Sequence, residues 1–173
     1  MNCCTKNLIK GVAVGILASW VKSIVEPPLQ DLGEKHFPPT PKELQLKGAD
    51  VKHQPENMPP AILAKKIYSA VTNEELQNQE AVKSMKFIHY ALGAVIGVAY
   101  VTLVNSNKRL KVEEGITAGA VVWAATHGST VPALGLQGKV KDMPKSWWVW
   151  EFGSHLVFGV ALEQSRKLLN KLF

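Results

Sequence analysis

Cysteine is nearly absent from this 173-residue chain, which has only Cys3 and Cys4. Two adjacent thiols at one end cannot staple a fold or form a cysteine metal cluster. No small-residue lipobox precedes them, which excludes a lipoprotein. They are read as unmodified cytoplasmic thiols, with acylation of a juxtamembrane pair as the other reading. No A-x-A cleavage site follows the first apolar run. That run ends in Lys22 and Glu26-Pro27-Pro28 and is read as a retained span, not a signal peptide. GxSxG, Walker A and strand-linked GxGxxG patterns are missing, as are HExxH and CxxC, so no familiar catalytic machinery is legible. No basic face interleaved with aromatics is present, so the formal net charge of +6 does not point to nucleic acid. Charge is also scarce within long stretches and dense between them, where a soluble bundle would carry it along one face of every helix.

Those stretches define the expected architecture: an all-α membrane protein, one domain over residues 1–173, built as a four-transmembrane-helix bundle. The expected spans are residues 8–25, 87–104, 115–136 and 147–162. Each is close to the ~20 residues that cross a ~30 Å hydrocarbon core. Lys10 and Lys22, near the ends of the first span, are expected to snorkel out of the hydrocarbon. Trp147, Trp148 and Trp150 are expected to form an interfacial belt. Residues 26–85 are expected to form a long extracytoplasmic loop. Its first half is rich in proline, and Pro27 and Pro28 should stop the first helix. A short amphipathic surface helix should follow Pro60, over 61–71. Thr72 and Glu75 form a capping-box pattern, which predicts a helix start near Asn73 continuing through Lys83 and Lys86 into the second span.

Basic residues set the expected orientation. Placing the N-terminus inside puts Lys6, Lys10, Lys108, Arg109, Lys111, Arg166, Lys167 and Lys171 in the cytoplasm. It leaves Lys139, Lys141 and Lys145 outside, with the lysines of the long loop. Both termini are therefore expected in the cytoplasm.

Glycine pairs four apart, Gly11/Gly15, Gly93/Gly97 and Gly115/Gly119, lie on separate spans. Such pairs make flat strips where helices approach closely. They serve either packing within the bundle or assembly into an oligomer.

Ionisable groups within hydrocarbon are costly and mark functional or interlocked positions. Here they are Lys22, Glu26, His89, His127, Glu151, His155 and Glu163. Glu151 and His155 share a helix face, as do Lys22 and Glu26. By helical rise, His127 falls at a depth similar to His155, and Glu163 alone lies toward the cytoplasm. The expected picture is a polar cluster in the outer half of the bundle, beneath the proline-rich loop. Three readings stay open. The cluster is a structural network, a proton- or ion-responsive site, or a metal site of His127, Glu151 and His155. No cofactor is expected, and enzymatic activity is not indicated.

The ordered set of these residues resembles the YagU-like family of small bacterial inner-membrane proteins. The resemblance is carried by Ala118-Gly119-Ala120, His127, Pro132, Leu134-Gly135-Leu136, Pro144, Glu151-Phe152-Gly153-Ser154-His155-Leu156-Val157, Glu163 and Arg166. In the first half it rests on Val21-Lys22, Glu26-Pro27-Pro28-Leu29, Asn57, Pro59, Pro60 and His89. The family's Glu-x-x-Gly-His-Leu-Val stretch appears here with its glycine shifted by one. The resemblance implies a multi-pass protein of the bacterial inner membrane associated with survival of acid stress, with no defined biochemical activity. The expected partners are the lipid bilayer and a second copy or another membrane protein. A scaffold or accessory subunit is the alternative function.

Overall fold

A computed structural model of the chain describes residues 3–106 and 112–172, and among these the fold is helical with no strand. Lys108, Arg109 and Lys111 lie outside the described residues. The long elements are α1 (Cys3–His36), α2 (Pro59–Thr72), α3 (Asn78–Ser106), α4 (Ile116–Ala125) and α7 (Gly153–Leu172). Among the described residues, two helices, α1 and α3, are long and apolar enough to cross a membrane. That is two where the sequence suggested four, because the other two apolar stretches are broken by wider turns. After α4 comes a π-helical turn, Thr126–Thr130, and then the short α5 (Val131–Ala133). Likewise α6 (Lys145–Trp147) leads through a second π turn, Trp148–Phe152, into α7.

The first π turn has a local cause. Pro132 has no N–H to give the carbonyl four residues back, and its ring crowds that carbonyl. Side-chain hydroxyls of the turn bond back to carbonyls at the end of α4. Thr126 Oγ1 donates to the Val122 carbonyl at 2.8 Å, and Thr130 Oγ1 to that of Ala125 at 2.7 Å. Ser129 Oγ donates to the carbonyls of Ala124 and Ala125.

Helix α1 packs against α3 on one side and α7 on the other, and α7 packs against α4. Glycines permit the closest approaches. A Cβ on Gly97 would run into the Gly11 carbonyl and the Gly15 backbone, and one on Gly15 would strike the Gly93 carbonyl. Between α4 and α7, Gly119 lies on the His155 carbonyl and Gly159 on that of Gly115. Gly115 itself has φ +97°, a conformation that glycine adopts without steric cost. All six glycines of the sequence pattern are thus occupied by contacts inside one chain.

Val14, Ala18, Val101, Phe158 and Leu162 form the apolar core between the helices. Outside it, Leu8, Trp20, Ile24, Phe87, Val95 and Val121 point away from the protein. The start of α1 and the end of α7 lie at one pole of the molecule. Lys10 Nζ donates to Asn170 at 2.7 Å, Asn105 to Asn7 at 3.1 Å, and Lys167 pairs with Glu114.

At the opposite pole the proline-rich segment is folded down, and three expectations are corrected there. Helix α1 does not stop at Pro27-Pro28 but continues to His36. Its last turns are held by tertiary contacts: Gln30 Nε2 donates to the Asp50 carbonyl at 3.0 Å, and Gly33 lies on the Ser146 backbone. Next, the capping-box pattern ends a helix instead of starting one. Asn73 takes the left-handed conformation that closes α2, Thr72 Oγ1 donates back to the Tyr68 carbonyl, and α3 begins at Asn78. Finally, Trp147 and Trp150 are not interfacial. They are 0% and 1% exposed and form a second core with Ala49, Val51 and Met143 beneath the loop. Of the three tryptophans, only Trp148 reaches the surface.

Candidate functional site

The two π turns carry His127 and Glu151, and the first turn of α7 carries His155. A π turn inserts one residue into the helical ladder and re-aims its side chains. The result is that Glu151, 1% exposed, meets both rings. Its Oε1 lies 3.2 Å from His127 Nε2 and 3.1 Å from His155 Nδ1. The rings stand edge to face with centroids 5.3 Å apart. From α1, Lys22 Nζ comes within 3.8 Å of the same oxygen and pairs with Glu26 Oε2 at 2.7 Å. Lys22 therefore does not snorkel: it is 4% exposed and spends its charge inside the bundle.

Hydrogen bonding fixes the histidine tautomers. Gln137 Nε2 donates to the His127 carbonyl at 3.2 Å, which turns its Oε1 toward His127 Nδ1 at 2.8 Å. That Nδ1 must therefore carry a proton. His155 Nδ1 donates to the Glu151 main-chain carbonyl at 2.8 Å, so it is protonated too. In both neutral rings Nε2 is left as the basic nitrogen. His127 Nε2 then points a lone pair at a carboxylate oxygen, and Glu151 Oε1 has no well-directed hydrogen bond. The charge count agrees. Lys22 offsets one of the two carboxylates, Glu26 and Glu151, and one negative charge remains.

Beside this cluster lies a cavity of about 130 Å³ between α1, α3, the α4 turn and α7, with Pro59, Pro60 and Leu63 of the α2 region as its cap. Ser19, Lys22, Thr126, His127, Glu151 and His155 give it a polar end, and the rest of the wall is mainly apolar. Ser19 Oγ, 1% exposed, has no hydrogen-bond partner. The volume has room for several waters.

The remaining sequence candidates separate. His89 lines the cavity and meets Tyr90 edge to face at 6.1 Å. Glu163 belongs to another network, twelve residues along the helix from Glu151 and so about 18 Å away. There Arg166 grips it with two bonds of 2.8 and 2.7 Å, and Tyr100 donates to it at 2.8 Å. Sequence reading missed Gln137, Tyr100 and Gly159. Gln137 had one visible sign, an amide between two glycines at the end of an apolar run.

These features define a class: an all-helical protein with two helices fit to cross a membrane and a buried Lys–Glu–His site beside a cavity. The chain belongs to the protein family of unknown function DUF1440, which it matches over residues 16–164. No curated protein and no solved structure matches it.

Proposed function

We propose that the chain is an integral membrane protein of the YagU-like type, in which the buried cluster takes up one positive charge from the cavity. The proton is the simplest occupant. The observation that carries this reading is Glu151 Oε1, buried among three nitrogens and facing the lone pair of His127 Nε2. A proton on that nitrogen balances the cluster as Lys22/Glu26 and His127/Glu151.

Four crossings are proposed, the third and fourth through 116–133 and 145–162. The apolar outer surface and the shared pole of the α1 start and the α7 end support that arrangement. In a bacterial inner membrane, with that pole cytoplasmic, the cavity lies on the outer side. Acid outside would then load the site, which suits a role in acid or envelope stress. Waters reaching Ser19 Oγ and Glu151 Oε1 would carry the proton in.

The test is proton entry into liposomes holding the purified protein, from about pH 4 to about pH 8, the range over which histidine changes charge. Entry should rise with acid and be lost in Glu151→Gln and His127→Ala. Entry no faster than in empty liposomes, or unaltered in both variants, overturns the reading.

A further inference from the structure

The same site has the parts of a metal centre. His127, Glu151 and His155 each offer one ligand atom, and all three atoms lie within 4.8 Å of one another. Zinc bonds of ~2.0–2.1 Å at tetrahedral angles place neighbouring ligand atoms ~3.3 Å apart. His127 Nε2 and Glu151 Oε1 are 3.2 Å apart. Each histidine is oriented through Nδ1, one by the Gln137 amide and the other by the Glu151 main-chain carbonyl. Such a second hydrogen bond is what holds metal-ligating imidazoles in place, and on His127 it leaves Nε2, beside Glu151 Oε1, as the ligand atom. The Lys22–Glu26 pair is neutral by itself, so the Lys22 charge is compensated before any ion enters.

We propose that His127, Glu151 and His155 form a site for a divalent transition-metal ion of the zinc type, with a fourth position open to the cavity. Two imidazoles, one carboxylate and an open position suit zinc or its spectroscopic substitute cobalt, whereas calcium and magnesium prefer oxygen ligands. The ion would bring two positive charges against the one negative charge that remains, and a hydroxide at the open position would balance the second. The inference rests on the reading of the cluster as a site that takes up positive charge.

The experiment uses the full chain in detergent, loaded with Co²⁺ for visible absorption and with Zn²⁺ for X-ray absorption. One Co²⁺ per chain should give four-coordinate bands. These should be lost in Glu151→Gln, weakened at least about 100-fold in affinity in His127→Ala and His155→Ala, and kept in His53→Ala, on the exposed loop. If Glu151→Gln does not fold, the unaltered protein decides through the zinc spectrum, which should show nitrogen and oxygen neighbours with scattering from two imidazoles. Absence of both the cobalt bands and the imidazole signal overturns the site, as does unaltered binding in a folded Glu151→Gln. Acid-driven proton entry without metal binding would remove the metal site and leave the proton reading standing. Metal binding without proton entry would support the site and remove the pathway.

Discussion

Arg166 and Glu163 illustrate how a buried charge is tolerated: both guanidinium bonds go to one carboxylate, and the Tyr100 hydroxyl adds a third. Removing Arg166 leaves the buried Glu163 carboxylate with the Tyr100 hydroxyl and Lys167 Nζ at 4.0 Å, so the cost falls toward the lower end of the about 3–5 kcal/mol for breaking a buried pair. Arg166→Ala should therefore lower the thermal midpoint in detergent sharply, and Arg166→Lys less so, since lysine keeps the charge without the two-pronged geometry. Circular dichroism melts of the two variants check this. Asp50, in the loop, behaves differently. Burial pushes its carboxyl above the ordinary value, against the pull of the Gln54 main-chain donor. A raised native value means that protonation favours the fold. The contribution is fully present below the ordinary value near about 4 and is lost as pH rises through the shifted one. Asp50→Asn keeps an acceptor for Gln54 without the charge. It should make loop protection from hydrogen exchange at neutral pH higher and less dependent on pH. At this scale the sequence was informative about which residues matter. Polar groups inside apolar runs are costly enough to stand out, so Lys22, Glu26, His127, Glu151 and His155 were all visible. Their grouping around one carboxylate oxygen was not, because helical spacing gives a face and a depth but no azimuth between helices.

Helices were legible where a single apolar period ran unbroken, as in α3, and misread where a local signal competed with packing. Pro27-Pro28 is a strong stop signal in isolation. It fails because residues 29–36 gain contacts with Asp50, Ser146 and the second apolar core by remaining helical. The Thr72–Glu75 pattern matched a helix start, yet Thr72 bonds backward to Tyr68 and closes the helix before it. The glycine pairs allow a direct comparison. Gly97→Ala drives a methyl into the backbone of α1, whereas Gly128→Ala meets its nearest neighbour, the Trp123 ring, at an ordinary 3.6 Å. The first should cost about 1–3 kcal/mol through forced separation of α1 and α3. The second should leave the melting midpoint in detergent nearly unmoved.

The whole molecule has a helical pole holding the start of α1 and the end of α7 and a loop pole built on Trp147 and Trp150. That second core was invisible in sequence, since tryptophans at the end of an apolar run carry the same pattern whether they face lipid headgroups or a folded loop. If the molecule crosses the membrane as proposed, the poles lie on opposite sides. With Cys3 and Cys4 replaced by serine, Lys52→Cys should react with an impermeant maleimide on intact cells, and Lys171→Cys only after permeabilisation. Equal labelling of both without permeabilisation would refute the orientation.

The π turns also bear on how such a chain can change over generations. Each holds one residue more than an α-helix accommodates, so a single-codon deletion within it would close the turn to an α-helical one and re-aim the side chains it carries, while the helix beyond keeps its register. His127 and Glu151 would then face away from each other, with no residue of the cluster itself altered. Gaps at residues 126–130 and 148–152 are thus tolerable only where the site has been abandoned. Aligned relatives that keep both histidines and Glu151 should show neither gap, while those lacking the histidines are free to carry either.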